Sequence, residues 1–163
     1  MLVIIDMQKR ILDPEDKNYV QAGEDLVPKI QTRLKQAREQ KELVFFMRDI
    51  PIEHKNASEE LVALQIIDEL APTSGELVAK KNYFTLPPEE LIAIHSIVET
   101  NQQEKERIEV VGVELNLCVL SNTLALQSVF PEANFYIDPE LVTGNQLNAE
   151  AIALLKAFNI EFS

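Results

Sequence analysis

One cysteine, Cys118, stands in the whole chain of 163 residues, so no internal disulfide can form and the sequence fits a reducing compartment. Glycine and proline are sparse, at 4 and 8 residues, which argues against low complexity. Positive charge is short: 15 Lys and Arg against 27 Asp and Glu leave a formal net charge of −12. That balance disfavours non-specific binding to nucleic acid or to an anionic membrane. An anionic small substrate stays open, because one local Lys outweighs distant surface charge. Long apolar runs are missing too. Leu2-Val3-Ile4-Ile5 stops at Asp6, too short for the core of a signal peptide. No segment approaches the ~20 apolar residues of a membrane span. With 46% hydrophobic residues the chain is not disordered, and it reads as one soluble, cytoplasmic domain over residues 1–163.

The richest stretch runs from Arg107 to Val129. Ile108, Val110, Val111 and Val113 form a β-branched run broken by Glu109, and Cys118 follows Gly112 by six residues. Val119, Leu120, Thr123, Leu124, Leu126 and Val129 then recur at helical spacing. The pattern predicts strand, tight turn and helix, with the thiol at or just before the helix N-terminus. Unpaired N–H groups and the positive end of the helix dipole there favour a thiolate. The same N–H groups could receive the charge that develops on an attacked carbonyl oxygen. Against this stands a simpler reading, in which a lone Cys in an apolar setting is a small buried hydrophobe.

Elsewhere, strands and helices alternate. Leu2 to Ile5 reads as a central strand, ended by Asp6, and Leu26, Ile30, Leu34 and Ala37 mark an amphipathic helix. Glu42 to Met47 is the second strand, and a helix is expected from Ser58 to Leu70, with Ser58 as N-cap. Leu77-Val78-Ala79 runs into Lys80-Lys81, and Thr85 to Glu90 opens a helix that carries Leu91, Ile94, Ile97 and Val98. A polar loop spans Glu99 to Glu106; a strand at Phe135–Ile137, a helix from Ala149 to Phe158 and a terminal strand at Ile160–Phe162 complete the chain. This order predicts an α/β fold, a three-layer α/β/α arrangement around a mostly parallel, doubly wound sheet of about six strands. In such a sheet Asp6, the Lys80/Lys81 pair and Cys118 share one edge, so a carboxylate, an ammonium and a thiol could converge.

At these residues the chain resembles the isochorismatase-like cysteine hydrolases, the superfamily that includes nicotinamidases. Val3-Ile4-Ile5-Asp6-Met7-Gln8 is similar to the family's opening strand and D-x-Q motif, and Gly112 to Val119 with Thr123 resembles its G-x-x-x-x-x-C-V-x-x-T pattern. The resemblance implies a catalytic set of Asp6, Lys81 and Cys118. It also implies a cis peptide between Val113 and Glu114, an oxyanion hole from the N–H groups of Glu114 and Cys118, and hydrolysis of a small amide through a thioester. Lys81 fits the family's lysine better than Lys80, with Glu76 five residues before it and Phe84-Thr85 in the aromatic–hydroxyl positions. Strand alternation lets only one of the two lysines face the site. Gln8, Phe84 and Leu115 are candidate pocket residues. Leu115-Asn116 depart from the Thr/Ser–Asp that the family often places before the Cys. Nicotinamidases bind a metal through D-x-H after the second strand; here that place reads Asp49-Ile50-Pro51, His54 lies further on and His95 falls mid-helix. The expectation is therefore no metal and no cofactor. A homo-oligomer, dimer or tetramer, is implied by the resemblance. The competing reading is a non-catalytic domain of the same fold that binds a small ligand or a partner.

Overall fold

The computed structural model describes residues 1–57, 61–100 and 106–163. Its centre is the strand β1, Leu2–Ile5, buried on both faces. Val3 and Ile5 point to one apolar cluster and Leu2 and Ile4 to another, so two-residue alternation divides a fully apolar strand between two cores. β2 (Val44–Asp49) does the same, with Phe45 and Met47 on one side and Val44 and Phe46 on the other. β3 (Leu77–Lys81) and β4 (Arg107–Val113) follow, and then β5 (Asn134–Ile137), β6 (Val142–Thr143) and β7 (Glu161–Phe162). All seven pair in parallel, in the order β3-β2-β1-β4-β5-β7, with β6 against the end of β4. The sequence reading of about six strands omits β6, which is two residues long.

Helix α1 (Val27–Glu39) covers one face through Ile30, Leu34 and Ala37. The other face is covered by α2 (Pro88–Thr100), α3 (Leu120–Val129) and α4 (Asn148–Ala157), through Ile94, Val98, Leu126, Ala151 and Leu155. The result is the predicted three-layer α/β/α sandwich.

The expected helix from Ser58 to Leu70 does not form. Ser58 itself lies outside the described residues, as does most of the Glu99–Glu106 loop. Residues 61–70 hold two single 3-10 turns, Val62–Leu64 and Asp68–Leu70. The reason is competition for the backbone. The Leu64 carbonyl accepts from Gln8 Nε2 at 2.7 Å and from Arg48 Nη2 at 2.8 Å, Lys9 N–H donates to the Gln65 carbonyl, and Ile67 N–H donates to the Met7 carbonyl. These bonds draw the segment across the end of β1 in an extended form, with a bridge between Gln8 and Ile66. Of the apolar stripe Leu61, Leu64, Ile67 and Leu70, the last three are still buried without a helix, and Leu61 is exposed.

Two backbone features set the edge of the sheet. Asp6 takes a left-handed conformation with φ 53° immediately after β1, which turns the chain sharply at the strand end. Gly112 has φ 115°, and a Cβ there would collide with the Ile5 carbonyl oxygen, so only glycine lets β4 come this close to β1.

Candidate active site

Each of the three expected side chains leaves the same edge of the sheet. Asp6 follows β1, Lys81 is the last residue of β3, and Cys118 follows β4. Alternation along β3 separates the two lysines: Lys81 is 0% exposed and faces inward, whereas Lys80 is on the opposite, exposed side. Lys81 Nζ lies 2.8 Å from Asp6 Oδ2 and 3.4 Å from Cys118 Sγ. It also lies 3.6 Å from Asp49 Oδ1, so two carboxylates and one thiol surround a single ammonium.

Cys118 is carried on a π-turn, Leu115–Val119, which precedes α3. The Val113–Glu114 peptide that leads into the turn is cis, at the position the resemblance implies. The turn is anchored from behind by Asn122, which is fully buried. Its Nδ2 donates to the Cys118 and Phe84 carbonyls, both at 2.7 Å, and its Oδ1 accepts from Leu86 N–H at 2.8 Å. One side chain thus ties the Cys118 turn to the segment after β3. Thr123 Oγ1 donates to the Val119 carbonyl one turn on.

The electrostatics differ from the expectation of a resting thiolate. Burial pushes the Cys118 thiol well above its ordinary value, the Asp6 charge pushes it further, and Lys81 only partly opposes them. The thiol belongs to a turn ahead of α3, and is 9% exposed beside a carboxylate, so the helix N-terminus does not decide its state. Asp6 is raised as well, by burial first, with Lys81 working downward. Lys81 is held in its charged form: burial works against it, and Asp6, Cys118 and Asp49 together prevail. Asp6 Oδ1 is buried without a hydrogen-bond partner, which leaves it able to accept a proton or an N–H.

A cavity of about 660 Å³ opens onto Asp6 and Cys118. Phe84 lines it, 39% exposed and in ring contact with Tyr83 at 4.5 Å between centroids. Glu114 lines it as well. Gln8 and Leu115 do not. Gln8 is fully buried, with Nε2 donating to the Asp49 and Leu64 carbonyls and Oε1 accepting from Asp49 N–H, so it clamps the end of β1 to β2. Leu115 is 2% exposed and packs in the core beneath the turn. Sequence reasoning passed over Asn122 and Arg10, and read Asp49 only as the start of Asp49-Ile50-Pro51, not as a partner of Lys81. The chain shows Arg10 only as a charge beyond a strand end. Asn122, one turn beyond Cys118, carries the signal of a polar residue inside an apolar helix.

Asp49, at the place of the nicotinamidase metal motif, is already paired. Asp49 Oδ2 lies 3.4 Å from Arg10 Nη2 while its Oδ1 faces Lys81, so both oxygens already meet cations. Pro51 supplies no donor. Among the described residues no three His, Cys, Asp or Glu side chains gather closely enough to hold a metal.

A parallel sheet of this order, with helices on both faces, is the architecture of the isochorismatase-like proteins. The chain belongs to the isochorismatase family: the model of the isochorismatase domain matches residues 1–157. Solved structures share the fold over nearly their full lengths. An isochorismatase family protein from Desulfovibrio vulgaris superposes with a TM-score of 0.83 at 18% identity, covering 99% of this chain and 91% of that one. Pyrazinamidase of Pyrococcus horikoshii, in complex with zinc, gives 0.81 at 16%, covering 99% and 97%. N-carbamoylsarcosine amidase from Thermoplasma acidophilum gives 0.76 at 13%, covering 99% and 94%. Compared with curated protein sequences, the chain has no significant match.

Proposed function

We propose that this protein is a cysteine hydrolase that cleaves the C–N bond of a small amide. The observation that carries the reading is the meeting of Asp6, Lys81 and Cys118 at a cavity of substrate size. Two structural relatives carry amidase names, a pyrazinamidase and an N-carbamoylsarcosine amidase, which supports the same bond class.

In this mechanism Cys118 Sγ attacks the amide carbonyl carbon as its proton passes to Asp6. A thiol held protonated at rest suits a base placed beside it, because proton transfer and attack then occur together. Lys81 stays protonated and steadies the negative charge as it moves between Asp6 and the sulfur. The carbonyl oxygen, now an oxyanion, is received by the N–H groups of Glu114 and Cys118. Donors of this kind are worth about 3–4 kcal/mol each when one is removed. As the C–N bond breaks, the leaving amine takes the proton from Asp6, and a thioester to Cys118 remains. Water then attacks the thioester, giving its proton to Asp6, and the acid leaves as the thiol recovers that proton. No step draws on a metal, in keeping with the paired state of Asp49.

The test is ammonia release from a panel of small primary amides, using protein dialysed against EDTA. Wild type releases ammonia, and Cys118→Ala loses at least about a thousandfold in kcat/KM while retaining the fold. Undiminished release by Cys118→Ala overturns the mechanism. Absence of release across the panel favours the second reading, a ligand-binding domain with a buried structural thiol, for which the 9% exposure of Cys118 is the supporting observation.

A further inference from the structure

Among the charged groups that line the cavity and that the proposed chemistry does not use, Arg10 is the one with a buried donor left unpaired. Arg10 sits on the turn Lys9–Ile11, four residues beyond Asp6, and lines the same cavity as Asp6 and Cys118. Its side chain is only 11% exposed. Among the described residues its one ion pair is long, with Nη2 3.4 Å from Asp49 Oδ2. Its Nε is buried with no hydrogen-bond partner. A guanidinium carries five N–H donors in a planar fork, and most of them here lack a protein acceptor. Burying such a group is unfavourable unless something else completes its hydrogen bonds. The rest of the lining is mixed, with Ile52, Leu61 and Phe84 beside Tyr19, His54 and Asn82.

We propose that Arg10 is a specificity-determining residue, which takes a planar oxygen acceptor on the substrate separate from the scissile amide: a carbonyl or a carboxylate. Asp49 holds the guanidinium in place and is itself braced by Lys81 at 3.6 Å. The carboxylates of Asp49 and Asp16 lie near enough to offset the charge of Arg10, so donor geometry rather than net charge is what this wall supplies. The substrate is then a small bifunctional compound, with an amide carbon at Cys118 and a second C=O or carboxylate at Arg10. The proposal rests on the hydrolase reading for which end is cut, but its binding claim does not. Sites built around a buried donor reject analogues that lack the matching acceptor by large factors, up to about 10⁴–10⁵.

The experiment uses three matched sets: propionamide, butyramide and valeramide, the diamides of the three-, four- and five-carbon dicarboxylic acids, and the corresponding monoamides with one free carboxylate. Binding is measured by calorimetry in Cys118→Ala protein, which removes turnover from the readout. Diamide or monoamide-acid of at least one length binds at least about 30-fold more tightly than the simple amide of that length. Adding Arg10→Leu abolishes the difference, and Arg10→Lys restores only part of it, because the planar fork is lost. Preference for the diamide identifies a neutral carbonyl at Arg10, and preference for the monoamide-acid a carboxylate. Equal binding of all three sets with Arg10 intact overturns the proposal, and so does a preference that survives in Arg10→Leu. In wild type, the same preference appears in kcat/KM. Binding preference without turnover leaves Arg10 in its role and removes the hydrolase reading instead.

Discussion

At Cys118 a few ångströms decide the chemistry. The lysine–carboxylate–thiol cluster holds its proton on sulfur at rest, since burial and Asp6 outweigh Lys81. Iodoacetamide therefore labels Cys118 slowly near pH 6, and labelling climbs as the pH turns alkaline. Asp6→Asn removes the charge that raises the thiol and leaves Lys81 in place, so Cys118 in that variant labels about tenfold faster at pH 8 while amide hydrolysis is lost. Lys81→Ala labels more slowly than wild type. Intact-protein mass spectrometry reads all three, and slower labelling of Asp6→Asn would contradict this account. The order of the three residues and the alternation that turns Lys81 away from Lys80 were legible in the chain. The direction of the thiol shift was not, because it depends on how completely Asp6 and Cys118 are buried together, and that is a property of packing.

Elements hold the site through polar clamps rather than through helix ends. Asn122 on α3 makes three hydrogen bonds that join the Cys118 turn to the segment around Phe84. Asn122→Ala strands Leu86 N–H and two carbonyls, and it should cost about 2–4 kcal/mol in denaturant unfolding. At the opposite end of β3, Glu76 receives Arg38 from α1 through bonds of 2.8 and 2.9 Å. Burial works upward on the Glu76 carboxyl, but Arg38 and the Thr73 N–H prevail and hold it below its ordinary 4.5. Because the folded value is the lower one, this contribution is complete above the ordinary value and is lost as pH falls from there through the lower, folded value. Glu76→Gln should accordingly cost about 1 kcal/mol at pH 7, given the partial exposure of Arg38, and the gap should close as the folded carboxyl takes up its proton in acid. A gap that widens in acid would reject the pairing. Periodicity located α1, α2, α3 and α4. It failed at residues 61–70, where the apolar stripe is real but Gln8, Arg48, Lys9 and Met7 claim the backbone groups that a helix would need. Such competition comes from residues outside the segment, 16 positions away for Arg48 and 56 for Gln8, and leaves no local mark.

For the molecule as a whole, strand order places the chemistry. The chain winds outward from β1 to β3, then returns to lay β4 on the other side of β1. The crevice beyond the carboxyl ends of β1 and β4 is the switch point where open parallel sheets bind ligands. Asp6 leaves one of those strands and the Cys118 turn leaves the other, so the topology alone brings carboxylate and thiol together. Alternating strands and helices made this legible; β6 escaped notice because two residues carry no pattern. The central claim is that catalysis passes through an acyl group on Cys118. The most direct measurement mixes wild-type protein with the amide of fastest ammonia release, quenches in acid within milliseconds, and weighs the intact chain. The account predicts a species heavier by the acyl group, mapped to Cys118 and absent from Cys118→Ala. Hydrolysis that proceeds with no acylated species, and at the same rate in Cys118→Ala, would contradict it.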